Sequence, residues 1–248
     1  MTTSLIWRPY CGSGPTPLEL ATRWNIDPVL WTGLGILAVV LWRTAKASGR
    51  QTTAMIGVGV LAVSFVSPLC ALSSALFSAR TVHHILLIAI AAPLIAGQGT
   101  VGESRRLWLA TGVHTAVLWA WHMPLAYSAA LTNTGLYWFM QVSMLGSAFA
   151  FWRSARTSAP WPAAAAFVVT LTQMTLLGAL ITLAPRALYA PHLATTQAWG
   201  LSPLADQQLA GVIMWIPAGT IYLAAALAAV RRGLASSQGL APSLRPAR

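Results

Sequence analysis

The chain has 248 residues, 56% of them hydrophobic and only 8% charged, with a formal net charge of +11. A soluble domain carries roughly 25% charged residues, so this composition excludes an ordinary water-soluble globule. The positive charge does not signal a nucleic-acid partner either. The basic residues fall in short clusters between apolar runs, where membrane topology places them.

In chain order, the first segment is 1–27. Met1–Leu20 has no basic stretch followed by an apolar run, so no cleavable signal peptide is expected. A membrane-spanning helix needs about 20 mostly apolar residues. By that measure seven spans are expected, at 28–46, 53–76, 81–98, 106–130, 134–153, 160–184 and 204–230. Local punctuation supports several of them. Asp27-Pro28 opens the first and Ser158-Ala159-Pro160 precedes the sixth. Ser202-Pro203 gives the last an N-cap with proline at N1. The connection at 185–203 is the longest, and a loop of that length is often functional. No internal repeat is visible. The expected architecture is an all-α membrane protein, a seven-transmembrane helix bundle over 28–232, followed by a disordered tail at 233–248.

Lys and Arg set the orientation. One set of connections holds Arg43, Lys46, Arg50, Arg105, Arg106, Arg153, Arg156, Arg231, Arg232, Arg245 and Arg248. The other holds only Arg8, Arg23, Arg80 and Arg186. The richer set marks the cytoplasm. The N-terminus is then outside, as a periplasmic segment at 1–27, and the C-terminus is cytoplasmic. A multi-pass protein of the bacterial inner membrane is the expectation. Trp7, Trp24, Trp31, Trp138 and Trp199 fall near the expected interfaces, as an aromatic belt would.

With the membrane drawn in, four of the five histidines reach the same outer face: His83, His84, His122 and His192. Cys11 and Cys70 fall there too. Soft ligands gathered at one face of a charge-poor bundle suggest a metal site, with copper as the first candidate. His83 and His84 are adjacent on a helix and differ by about 100° in direction, so at most one points squarely at a given partner. His122 lies at similar depth on the fourth span. His114 lies roughly 12 Å deeper. Imidazoles buried in a bundle are costly unless paired or ligated, although a hydrogen bond to a carbonyl serves as well. Thioethers suit Cu(I), which singles out Met123 beside His122 and Met214 on the seventh span, with Met140, Met144 and Met174 as core fillers. Asp206 either complements the dipole of its own helix, orients a ligating histidine, or is itself a ligand. Cys11 and Cys70 either pair as a disulfide in an oxidising periplasm or supply thiolates. One soft pair near several histidines fits a transfer site, and on that reading the thiols handle metal. No phosphate-binding glycine loop, CxxC, His-Glu-x-x-His or Ser-His-Asp arrangement is legible, so no enzyme is expected.

Three stretches resemble a known family, over roughly 25–232. Gly200-Leu-Ser-Pro-Leu-Ala-Asp-Gln-Gln-Leu-Ala-Gly-Val-Ile-Met-Trp-Ile-Pro217 resembles the seventh helix of the Bacillus-type CtaG family. Ser78-Ala-Arg-Thr-Val-His-His-Ile-Leu-Leu87, followed by Ala91-Ala-Pro-Leu94, is similar to its paired-histidine segment. Trp121-His-Met-Pro124 resembles its Trp-His-Leu-Pro element, with Met123 in place of leucine. The resemblance implies a multispan assembly factor for haem-copper cytochrome c oxidase, implicated in forming the copper centre of the catalytic subunit. Its implied partners are that subunit, a periplasmic copper chaperone as donor, and the lipid bilayer. On this reading Cu(I) is held by His83 or His84 with His122 and soft sulfur donors, in a low-coordinate site from which it can be released. A b-type haem oxidoreductase using His84 and His122, a copper transporter using Met174 and Met214, and a scaffold without metal are the competing expectations.

Overall fold

This computed structural model describes residues 9–97 and 104–239, and they are helical throughout, with no strand. The helices are α1 Pro28–Lys46, α2 Gln51–Val66, α3 Pro68–Ala75, α4 Phe77–Ile85, α5 Ala92–Ile95, α6 Ser104–His122, α7 Pro124–Ala130, α8 Thr134–Thr157, α9 Pro160–Leu183, α10 Pro203–Ile213 and α11 Gly219–Gly239. A π-helical segment at Leu86–Ala91 joins α4 to α5, and another at Met214–Ala218 joins α10 to α11. Each of the expected spans therefore coincides with a helix or a broken helix pair. Four are long and apolar enough to cross a membrane: 28–46, 77–95, 160–183 and 203–237. The α2–α3 pair, bent by 51° at Ser67-Pro68, makes a fifth. α6 and α8 are as long, but they carry the polar residues His114, Gln141, Ser143 and Ser147 inside the bundle.

The helix starts follow local chemistry. The side chains of Asp27, Ser67, Asn133 and Ser202 each accept a hydrogen bond from a backbone N–H of the first turn, and proline sits at N1 of α1, α3 and α10. Each cap satisfies a donor that the helix leaves free. α9 and α10 approach closely at paired glycines. A Cβ on Gly211 would stand 2.6 Å from the Gly178 carbonyl oxygen, so no larger residue fits at this crossing. α1 is covered least: Trp31, Ile36, Val39, Val40 and Trp42 all face outward, as a lipid-facing helix should.

α4 is the exception among the starts. Its N-cap position is Leu76, which has no side chain able to cap. Asp206 of α10 does this from across the bundle. One carboxylate oxygen accepts from the Phe77 N–H at 2.6 Å. The other accepts from the Ser78 N–H at 3.2 Å and the Ser78 hydroxyl at 2.5 Å. Asp206 is fully buried. Its hydrogen bonds go to the start of α4 and none to a histidine, so it does not orient one, while its place in the first turn of α10 is the one the dipole reading expects.

Three further expectations change. Cys11 and Cys70 are joined as a disulfide, so neither supplies a thiolate. The bond fastens the N-terminal segment to α3, and Asn25 N–H to Val66 O (2.9 Å) and Trp199 Nε1–H to Pro15 O (3.0 Å) fasten it further. Arg80, taken as a loop charge, is fully buried in α4. α11 continues to Gly239, past the expected start of the tail at 233. The rest of that tail with Arg245 and Arg248, and the stretch of the first segment with Trp7 and Arg8, lie outside the described residues.

Replacing Asp206 by alanine leaves two buried N–H groups without an acceptor, at about 1–3 kcal/mol each. Asp206→Ala is expected to lose about 3 kcal/mol of stability in detergent unfolding, and Asp206→Asn, which keeps one acceptor, less. An unchanged unfolding midpoint for Asp206→Ala would show that the cap is dispensable.

Candidate functional site

His83 and His84 lie in the last turn of α4, roughly 10 Å from its start at 1.5 Å per residue, so they sit deeper than the sequence suggests. Their directions differ as expected of neighbours on a helix. His84 faces α6, with its ring centroid 5.7 Å from that of His122. His83 turns toward α2 and meets the Phe65 ring edge-on at 4.9 Å. The centroids of His83 and His84 are 5.9 Å apart. All three imidazoles are buried.

Their ring nitrogens are unusual for a buried site. Both nitrogens of His83, both of His84, and Nε2 of His122 have no hydrogen-bond partner. His83 comes near the Ser64 backbone without hydrogen-bond geometry. His122 is the informative one. Its Nδ1 lies 2.7 Å from the Leu118 carbonyl oxygen. A carbonyl only accepts, so Nδ1 carries the proton, and in the neutral ring Nε2 keeps its lone pair. That is the form in which histidine ligates a metal through Nε2. By contrast His114, deeper in α6, is satisfied: Nδ1 meets Ser147 Oγ at 3.1 Å and Nε2 meets the Tyr222 hydroxyl at 3.4 Å.

Two imidazoles sharing one ion through nitrogens about 2 Å away have ring centroids roughly 5–6.5 Å apart. The His84–His122 and His83–His84 spacings fall in that range. Among the described residues, no three His, Cys, Asp or Glu side chains are already gathered round one point. The spacing is that of imidazoles able to share an ion, and no larger ligand group is assembled among the described residues.

The other sequence candidates lie elsewhere. His192 is buried in the outer loop, where Nε2 meets the Tyr127 hydroxyl at 2.6 Å, inside an aromatic cluster with Phe77 and Tyr189. Met123 is 57% exposed beside the buried His122, so its sulfur does not join the imidazoles. Met214 is a buried core residue, in the π-helical segment that packs beside α4 and α9. Cys11 and Cys70 are bonded to each other.

The outer loop closes over this end of the bundle. Tyr189 donates from its hydroxyl to the His122 carbonyl at 2.9 Å. Thr195 donates to the Ala75 carbonyl at 2.6 Å. Gln207 of α10 accepts from the Leu188 N–H at 2.6 Å and donates to the carbonyls of Ile181 and Arg186. At the opposite end gather the arginines. Arg50 and Arg153 line one cleft with Ser48 and Gly97, and Arg156 donates to the carbonyls of Pro93 and Ala96. Sequence reasoning missed that Arg80 is buried beside the histidines, and it missed Tyr127 and Tyr137 near it. Arg80, three residues before His83, was the one available signal.

The fold and site define a helical membrane protein with a buried histidine cluster under a tied-down cap. The family model described as "Cytochrome c oxidase caa3 assembly factor" matches residues 104–236, just over half of the chain, and the chain belongs to that family. The match spans α6 to most of α11 and includes His122, His192 and Asp206. No curated protein and no solved structure matches the chain.

Burial pushes the His192 imidazole from its ordinary 6.5 down to about 3. In the folded state it stays neutral through this window, whereas the unfolded chain takes up a proton below about pH 6.5. Its stabilising contribution is therefore complete above pH 6.5 and is lost as pH falls toward 3. His192→Gln is expected to flatten the stability-versus-pH slope between pH 6 and 4 by about one proton, ~1.4 kcal/mol per pH unit. Equal slopes for the two proteins would exclude a buried neutral imidazole.

Proposed function

We propose that the chain is an oxidase assembly factor that holds Cu(I) at the outer end of its bundle, as cargo for the copper centre of the catalytic subunit. In this reading all seven helical segments cross the bacterial inner membrane. The N-terminus is periplasmic, because the arginine-rich end is the cytoplasmic one. The observation that carries the copper reading is the set of five buried ring nitrogens on His83, His84 and His122 without partners. A buried polar atom without a partner costs about 1–3 kcal/mol, and a soft cation with an affinity for neutral imidazole removes that cost.

His84 and His122 supply the first two nitrogens, and His83 is the adjacent third. A two- or three-coordinate shell suits delivery, since a full tetrahedral shell of strong ligands retains its ion. The disulfide leaves the site without thiolates, which favours release further. The acceptor is the apo catalytic subunit, reached through the outer face, and a periplasmic copper chaperone is the donor. The role is non-catalytic. The haem and transport readings have no comparable support among the described residues: no second histidine pair and no buried acid continue a path toward the arginine-rich end.

The test is the copper and iron content of detergent-purified protein after anaerobic loading with Cu(I) and desalting. About one copper per chain is expected, with His84→Ala and His122→Ala each weakening retention by more than about tenfold. No retained copper in the wild-type protein would overturn direct handling and leave a scaffold. Co-purified iron would favour haem.

A further inference from the structure

Arg80 lies on α4 one turn before His83 and is completely inaccessible to solvent. Its Nε donates to the Ser73 carbonyl at 3.2 Å, and its Cζ stands 5.4 Å from the centre of the Tyr137 ring. The Tyr127 and Tyr137 hydroxyls come near the guanidinium, but neither reaches Nη1 or Nη2 with hydrogen-bond geometry. The guanidinium is close enough to act electrostatically on the Tyr127 and Tyr137 phenols and on His83, His84 and His192.

An arginine cannot discharge itself by losing its proton, so a buried one must have its charge met by an anion, by carbonyls or by a ring face, and Arg80 has one carbonyl and one ring for its five N–H donors. The chain has four acids, and among the described residues none meets the guanidinium. Asp206 is committed to the start of α4. Glu19 accepts from the Thr16 N–H, and Asp27 from the Tyr10 hydroxyl and the Val29 N–H, both in the N-terminal segment. Glu103 lies outside the described residues. The described groups that face Arg80 are the Ser73 carbonyl, the Tyr127 and Tyr137 phenols and the imidazoles of His83, His84 and His192, and none of them is an anion. The buried setting admits only a small occupant. A Cu(I) ion on the neighbouring imidazoles would add a second positive charge to the same low-dielectric region.

We propose that Arg80 seats a small monovalent anion of halide size, held between Nη1 and Nη2 beside the histidine cluster. Its role as counter-ion to the metal rests on the Cu(I) reading, whereas the anion site itself does not. A filled seat makes the cation and its anion enter the cluster as a neutral pair, which lowers the electrostatic penalty on loading.

The test uses copper-free protein, so its failure says nothing about copper. The protein is prepared in methanesulfonate, which is too bulky for the seat, and given sodium bromide before crystallisation. Anomalous scattering at the bromine edge should show one bromide within hydrogen-bonding distance of Arg80 Nη1 and Nη2. In solution, bromide or chloride should raise the unfolding temperature saturably, as a ligand specific to the folded state does. Arg80→Lys, which keeps the charge but not the two-pronged geometry, should need at least about tenfold more halide for half of that effect. Arg80→Gln should lose the effect altogether. If Arg80→Gln does not fold, the wild-type bromide position and the Arg80→Lys titration still decide. Bromide absent from Arg80 at saturating concentration, or a halide response unchanged in Arg80→Lys, would overturn the proposal.

Discussion

A carboxylate on one helix holds the start of another, and the histidine cluster depends on that contact. α4 begins inside the protein, where no water is at hand for its first N–H groups. Its own cap position is a leucine, so Asp206 supplies the acceptor from α10, 128 residues away in sequence from Ser78. The bond is charge-assisted, and the negative group lies where the helix dipole favours it. It joins α4 and α10 at a defined height and rotation. Rotation matters because His83 and His84 point about 100° apart. With α4 pinned, His84 faces His122 and His83 faces Phe65. A turn of the helix by one residue would bring one of them into the other's place and carry the second away from both partners.

The bonds above the cluster serve the same arrangement. The Cys11–Cys70 disulfide holds the N-terminal segment on α3. The Tyr189 hydroxyl holds the outer loop on the carbonyl of His122 itself. The imidazoles are thereby kept from water. The α9–α10 glycine crossing, with no space for a Cβ at Gly211, holds α10 close against α9.

Much of the helical frame was legible because its signals are local. Apolar runs give the segments, and Asp27-Pro28 and Ser202-Pro203 give starts that the structure keeps. The site was half legible. His84 and His122 fall at one depth by counting residues along helices, but only packing decides which of two adjacent histidines turns inward. The failures share one cause: a charged or sulfur-bearing residue has several uses, and the choice among them is a long-range contact. Asp206 looks like no more than a dipole partner of its own helix until α4 is placed beside it. Arg80 looks like a loop charge until the span is seen to begin at Phe77. The cysteines look like soft ligands until the fold brings them together across a sequence separation of 59. Met123, beside His122 in sequence, follows the break after α6 and turns outward.

Membership of the caa3 oxidase assembly factors gives this geometry its setting. A factor that passes copper on needs a site that binds through few ligands and is shielded until its acceptor arrives. Neutral imidazoles under a fastened cap have that character, and thiolates would bind more tightly. The most direct measurement is X-ray absorption at the copper K-edge on Cu(I)-loaded protein in halide-free buffer. Nitrogen scatterers alone, about two or three at roughly 2 Å, are the expected result. A sulfur shell would contradict the imidazole site, because it would return the cysteines or methionines to the metal.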